Sequence, residues 1–447
     1  MKHKHEFFQS VCRLAIPVAL QSMLQASFSI VDQIMIGQLG SVSVAGVGLA
    51  GKFASIFSVV GSAIGAVAGI MISQYLGQKS EREVHRSFWV NLLIALGLAG
   101  LFSVACGLFP EQVMGLYTVD PPTRQVAAGY LVIITATFLP MAGATLLSTL
   151  LRCMEKAQLP LYASIASAVL NTGLNYVLIF GKLGISPMGA TGAAIATVIA
   201  QWVNFLLMLA FLPGTIWRTR KTADQPKGRF HWKQYLSILF PILVCEFLWS
   251  LGENIYAAIY GHMGTDSSAA MMLINPIQGL MIGALCGLSQ AASVIVGKQL
   301  GSREYDGAYR AAGKLIVYGF AGSVILSVLV VAASPVYVEI YQVDTAVKLL
   351  TKQILLAYAL IAPFKVLNMI LGGGIIRSGG KTNYVMVIDM IGTWGFGVPL
   401  GLLSAFVWNL SIPYVYFILS LEECVRFCIS MVVFLRKKWM QSLSAGQ

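Results

Sequence analysis

The sequence predicts an all-α polytopic membrane protein, with twelve transmembrane helices in two six-helix lobes related by a parallel pseudo-two-fold repeat. Three observations predict it: a lipid-like composition, a second half that repeats the first in register, and basic residues gathered in alternate loops. Of the 447 residues, 57% are hydrophobic and 11% charged, and the mean hydropathy is +0.77. Soluble domains carry about 25% charged residues, so the composition is that of a chain dissolved in lipid. Residues 17–40 (PVALQSMLQASFSIVDQIMIGQLG) align without a gap on 241–264 (PILVCEFLWSLGENIYAAIYGHMG), at an offset of 224 residues. Pro17 falls over Pro241, Gly37 over Gly261 and Gly40 over Gly264. The register persists further on, with Gly77 over Gly301, Lys79 over Arg303 and Arg86 over Arg310.

A span needs roughly 17–25 mostly apolar residues. Twelve runs qualify, near 12–36, 46–73, 88–109, 125–150, 160–181, 189–212, 234–260, 269–297, 312–334, 345–371, 383–403 and 411–435. The first six make an N-lobe over 1–212 and the last six a C-lobe over 234–447. Between them, 213–233 is basic, carries Pro213, Gly214, Pro226 and Gly228, and reads as a cytoplasmic linker. Small residues dominate 62–69 and 189–197, as close helix packing requires. Pro17, Pro140, Pro241, Pro276, Pro363 and Pro399 interrupt backbone ladders, as packing kinks or as bending points.

The net charge of +12 is spread in a way that argues against nucleic acid as partner. Lys and Arg gather at both ends and in alternate loops: Lys79, Arg82 and Arg86; Arg152 and Lys156; Arg218 to Lys233; Lys298, Arg303 and Arg310; Arg377 and Lys381. This positive-inside pattern puts both termini in the cytoplasm and gives the two halves one orientation, a parallel repeat about an axis along the membrane normal. The N-terminus lacks a small-residue cleavage site and reads as an uncleaved first helix. The seven cysteines form no CxxC pair, so neither disulfides nor a metal centre are expected.

Ionisable residues inside spans are costly and mark candidate sites. In the first span, Ser22, Gln25, Ser29 and Asp32 share an arc of roughly 80°. Their repeat mates in the seventh are Glu246, Trp249, Glu253 and Tyr256. Both stripes are expected to face a cavity, where Gln25, Glu246, Trp249, Glu253 and Tyr256 would meet a small-molecule substrate. Lys365 has two readings: its ammonium snorkels to the cytoplasmic edge, or it pairs with Glu246 or Asp389. Glu422, Glu423 and Arg426 sit at helical spacings that permit internal pairing.

Taken with the twin Pro…Gly-x-x-Gly helices and the basic loops, three further features resemble the multidrug and toxic compound extrusion (MATE) family. Leu151-Arg152 is echoed by Ile376-Arg377, 171–181 reads NTGLNYVLIFG, and 187–197 reads PMGATGAAIAT. The resemblance covers almost the whole chain. It implies a monomeric antiporter in the cytoplasmic membrane of a prokaryote, with no cofactor, exporting drugs or toxic metabolites in exchange for H⁺ or Na⁺. It also implies an N-lobe ion site at Asp32, with Asn171 and Asn175 in the fifth helix, Tyr130 in the fourth and Thr197 in the sixth. A Na⁺ ion there would use Asp32, Asn171 and Asn175. Two departures stand out. One branch of the family carries an aspartate where this chain has Asn175, and another carries an acid in the tenth helix where this chain has only the region 364–368.

Two other function classes suit the residues less well. An integral-membrane enzyme would need a nucleophile–base set, yet no HExxH or Gly-x-Ser-x-Gly occurs and all five histidines are terminal or in loops. A flippase for lipid-linked precursors would need a basic cavity for pyrophosphate. The cavity face of the seventh helix bears Glu246 and Glu253 and no arginine, which suits cations better.

Overall fold

The computed structural model describes residues 2–212, 230–341 and 343–443, with 2–5 and 41 as backbone alone. The expected linker at 213–233 therefore lies outside the described residues, apart from 230–233. Among the described residues, eleven helices are long and apolar enough to cross a membrane. In the first half these are α1 (Glu6–Gly37), α2 (Val42–Gly77), α3 (Glu81–Leu108), α4 (Pro121–Cys153), α5 (Gln158–Phe180) and α6 (Gly189–Ala210). In the second half they are α7 (Trp232–His262), α8 (Thr265–Gly301), α9 (Tyr305–Glu339), α10 (Thr345–Ile376) and α11 (Thr382–Val407). Helices prevail because lipid offers no partner to a backbone N–H or C=O, so each span must satisfy its own.

The twelfth expected span, 411–435, is α12, two helices in tandem over Ile412–Ser420 and Glu422–Leu435. Val425 N still donates to Leu421 O at 3.2 Å, so the ladder runs on through the bend. The bend falls directly ahead of Glu422, Glu423 and Arg426, all buried.

Packing divides the chain into two compact units. The first, here the N-unit, comprises Leu20–Ile72 and Glu81–Gly228; the C-unit comprises Met1–Ala19, Ser73–Ser80 and Arg229–Gln447. Within the N-unit, α5 packs along α6 and both α3 and α6 along the second half of α4. Phe57 and Phe138, both buried, pack with centroids 4.8 Å apart and ring planes tilted by 46°. Within the C-unit, α8 and α9 pack on α10, α10 on α12, and α7 on α11.

The C-unit also takes in the start of α1 and the end of α2, for identifiable reasons. Gly77 lies against the Lys298 carbonyl, and Gly301 against the Gln74 carbonyl, so closely that a methyl group at either glycine would collide with backbone. Gly77 and Gly301 are repeat mates, as are Gln74 and Lys298. Each helix end therefore presents the same residue to the same place on the other. The buried Gln74 amide also donates to Ser378 O at 2.6 Å and accepts from Leu443 N at 2.7 Å. That ties down a C-terminal strap whose Trp439 has no exposed surface.

Two spans widen where their glycines crowd. In α10, Met369–Ile376 forms a wider turn in which Arg377 N bonds back to Gly372 O. Ser289 Oγ takes the Met369 carbonyl at 2.7 Å, removing it from the ordinary ladder. This is why α10 runs to Ile376 rather than stopping near 371. A similar stretch in α11, Met390–Gly397, faces the C-unit's charged side chains.

Candidate functional site: two polar clusters

In the N-unit, α1 brings Asp32 beside α5. Asn175 Nδ2 donates to Asp32 Oδ1 at 2.8 Å. Asn171, one turn earlier on the same face, accepts from Asn175 Nδ2 at 3.1 Å and sets its amide end 3.0 Å from both carboxylate oxygens. Tyr130 of α4 hydrogen-bonds Thr197 of α6 within electrostatic reach of Asp32. The five residues that the resemblance singled out thus come from four helices to one place. Asn175 is 2% exposed and its buried Oδ1 has no hydrogen-bond partner among the described residues. A carboxylate and an unused amide oxygen side by side form a donor set for a proton or a hard cation. Gln25 lies on α1, exposed, with no hydrogen bond to this cluster among the described residues.

Behind the cluster, sequence reasoning missed a second network. Arg152 Nη2 donates to Gln21 Oε1 at 2.9 Å, and Gln21 Nε2 to Ser164 Oγ at 2.8 Å. A counterpart exists in the C-unit. Arg377 Nη2 lies 3.1 Å from Cys245 Sγ, and Cys245 is the repeat mate of Gln21.

Around that counterpart the C-unit gathers its charges. Arg377 Nη1 pairs with Glu246 Oε1 at 3.2 Å, and Cys245 Sγ donates to Asp389 Oδ2 at 2.6 Å. Arg426 is a hub: its guanidinium lies 3.8 Å from Asp389 and 3.9 Å from each of Glu422 and Glu423, and it also bonds Thr393 Oγ1. Tyr256 OH donates to Glu422 Oε2 at 2.6 Å, and Asn368 Nδ2 to Glu423 Oε2 at 2.9 Å. Gly392 and Gly397 of α11 make room for this network, since a methyl group would strike Arg426 at the first and Tyr256 and Glu422 at the second.

Two cavities open onto the network. One, of about 370 Å³, is lined by Glu253, Tyr256, Tyr260, Tyr358, Tyr416 and Glu422 among others. The other, of about 400 Å³, is lined by Glu246, Trp249, Asp389, Arg377 and Arg426 among others. Lys365 and Glu423 line both.

Two expectations need correction, and a third, the internal pairing of Glu422, Glu423 and Arg426, is met and extended. The acids of the seventh helix are not free of arginine, because Arg377 comes from the end of α10 to pair with Glu246. Lys365 is partner to neither Glu246 nor Asp389, whose cations are Arg377 and Arg426; its ammonium instead lies in the field of Glu423, Glu253 and Glu422. The internal pairing of Glu422, Glu423 and Arg426 is one part of a wider network that reaches α7, α10 and α11. The missed signal was a pair of acids and an arginine one turn apart in an otherwise apolar run.

A family model, MatE, matches residues 17–177 and again 241–403, the two matches starting at the 224-residue offset of the internal repeat. A probable multidrug resistance protein NorM from Bacillus thuringiensis subsp. konkukian (strain 97-27) is 24% identical over 433 residues, across 91% of this chain and 90% of its own. Among solved structures, the Vibrio cholerae MATE transporter VcmN superposes with a TM-score of 0.88 at 16% identity, over 98% of this chain and 100% of that one. A transporter from Pyrococcus furiosus, described for the reverse polarity of its binding pocket, superposes with a TM-score of 0.86 at 17% identity, over 96% of each chain. At such identities the structures speak for the fold: twelve helices in two lobes.

Proposed function

The chain belongs to the MatE family and is a multidrug efflux transporter of the membrane, not an enzyme, and from that membership we propose that it is a secondary antiporter coupled through Asp32. The observation that carries the proposal is the Asp32 carboxylate, held by Asn171 and Asn175 beside the unused Asn175 oxygen. The coupling ion is H⁺ or Na⁺: a lone carboxylate in a helix serves the first, an all-oxygen set of carboxylate, amide and phenol the second. One charge entering down about 100 mV supplies ~2.3 kcal/mol, enough for a roughly fiftyfold export gradient before any chemical gradient is added.

The reading includes a topology. The N-lobe spans 1–212, the linker 213–233 and the C-lobe 234–447, with linker and both termini in the cytoplasm. It takes the monomer as the working unit and the cytoplasmic membrane of a prokaryote as its place. Support comes from the basic loops and the in-register repeat. A cysteine at Ala223 should react with an impermeant thiol reagent, above the parent's own labelling, only after cells are broken. Reaction in intact cells would overturn the orientation.

Substrates on this reading are small molecules, organic cations among them, met by Glu246, Trp249, Glu253 and Tyr256 of α7, with Gln25 of α1. The flippase alternative needs several cations free for a pyrophosphate; Arg377 and Arg426 are each held by carboxylates, which leaves Lys365 alone among the cavity cations. The deciding experiment is efflux from proteoliposomes under an imposed pH gradient and under an imposed Na⁺ gradient. Efflux should follow one of them and fall to background in Asp32→Asn, with equilibrium substrate binding kept. Wild-type coupled efflux by Asp32→Asn would remove Asp32 from the mechanism.

A further inference from the structure

The intramembrane charges of the C-unit sort into partners, with one pair left over. Five carboxylates line the two cavities (Glu246, Glu253, Asp389, Glu422 and Glu423) against three cations (Lys365, Arg377 and Arg426). Arg377 is committed to Glu246, and Arg426 to Asp389, Glu422 and Glu423. Neither Lys365 nor Glu253 forms an ion pair among the described residues, although both line the smaller cavity. Lys365 also forms part of the wall of the larger one. Four tyrosine rings, Tyr256, Tyr260, Tyr358 and Tyr416, line the smaller cavity with them.

A cation entering that cavity would find aromatic faces and carboxylates, the ordinary receptor for an organic cation. It would also find one positive charge already there, on a stem that cannot diffuse away. We propose that Lys365 is a specificity-determining residue: a tethered cation that competes with solute cations for Glu253, Glu422 and Glu423 and so sets the charge preference of the C-unit cavities. This rests on the transport reading only in taking the cavity as a solute site.

The size of the effect follows from Coulomb's law. A unit charge ~8 Å away, through an effective dielectric of about 20, changes the affinity of a monovalent ligand by roughly thirtyfold. A neutral ligand of the same shape feels almost none of it.

The test is equilibrium binding to purified full-length protein, with tetraphenylphosphonium as the cation and triphenylphosphine oxide as the neutral probe. Lys365→Met should bind tetraphenylphosphonium about ten- to thirtyfold more tightly with neutral-probe affinity unchanged, while Lys365→Arg behaves as the parent. Adding Glu253→Gln to Lys365→Met should erase most of the gain. Unchanged or weaker cation binding by Lys365→Met, with neutral binding intact, overturns the proposal. If Lys365→Met binds neither probe, the decision passes to Glu253→Gln alone, at an exposed position. There the cation should weaken about tenfold with the neutral probe unaffected, and no change would overturn the proposal. Binding at equilibrium needs no ion gradient, so these outcomes do not depend on whether Asp32 carries the coupling ion.

Discussion

The two units build their polar clusters on the same repeat and load it differently. In the N-unit the acid stands on the first helix, as Asp32, and neutral amides, a phenol and a hydroxyl from α4, α5 and α6 gather about it. In the C-unit the repeat mate of Asp32 is Tyr256, and the acid that meets it, Glu422, stands on the last helix. The bonding helix changes with the acid: Asp32 is met from the fifth helix of its half, Tyr256 from the last helix of the other. The arginine that ends the fourth helix of each repeat is kept as well. Arg152 meets a neutral Gln21, whereas Arg377 meets Cys245 and Glu246. One cluster is therefore a single charge in neutral company. The other is a set of mutually dependent charges, where removing one strands the rest.

That contrast can be broken most sharply by function. Asp32→Asn should lower coupled efflux by about a hundredfold or more, on the order of 3 kcal/mol in transport terms, while the thermal midpoint of the purified protein moves little. A large drop in the midpoint would mean that the N-unit acid is structural and the contrast false.

The reciprocal experiment is Arg426→Met. Arg426 is 7% exposed and compensates three carboxylates, two of them 6% exposed. Removing one partner of a buried ion pair costs about 3–5 kcal/mol, so the midpoint should fall by many degrees and expression should suffer. Stability equal to the parent's would show the network to be looser than the geometry implies.

A smaller effect separates the two glutamates of α7. Among the described residues Glu253 has no ion-pair partner while Glu246 has Arg377, so Glu253→Gln should weaken cationic-dye export roughly threefold to tenfold. Glu246→Gln should lower export of cationic and neutral dyes alike, together with the thermal midpoint, because it strands the Arg377 guanidinium. Efflux of matched cationic and neutral dyes in cells separates the two, and the opposite pattern would reverse the roles.

Much of this was legible in the sequence because membranes impose local rules. Span number, the repeat and the position of Asp32 all follow from apolar length, punctuation and the cost of a charge in lipid. Asn171 and Asn175 share a face with each other by spacing alone, although only the family resemblance pointed them at Asp32. What stayed hidden depends on which helices touch. Nothing local assigns Arg377 to Glu246, because it reads as a loop residue until the wide turn through Gly372 carries α10 on to Ile376. Lys365 has the spacing of a snorkelling residue and lacks any local mark of a cavity on either side of it. Glu422, Glu423 and Arg426 satisfy one another on paper at i, i+3 and i, i+4. Only the close approach allowed by Gly392 and Gly397 reveals their longer-range partners.

The crossing of α2 and α8 bears on ancestry. A contact in which Gly77 meets Lys298 while Gly301 meets Gln74 maps onto itself under the repeat, as an isologous interface does between two copies of one chain. Its natural origin is a half-sized protein that paired with itself, both copies inserted the same way up, before fusion made the pairing independent of concentration. Divergence is visible at Gln74, which holds the C-terminal strap through Ser378 and Leu443 with a side-chain amide that its mate Lys298 lacks. If the interface still retains that character, residues 1–212 and 234–447 expressed as separate chains should co-purify, and Gly301→Val should separate them. Co-purification undiminished by Gly301→Val would place the memory of the dimer elsewhere.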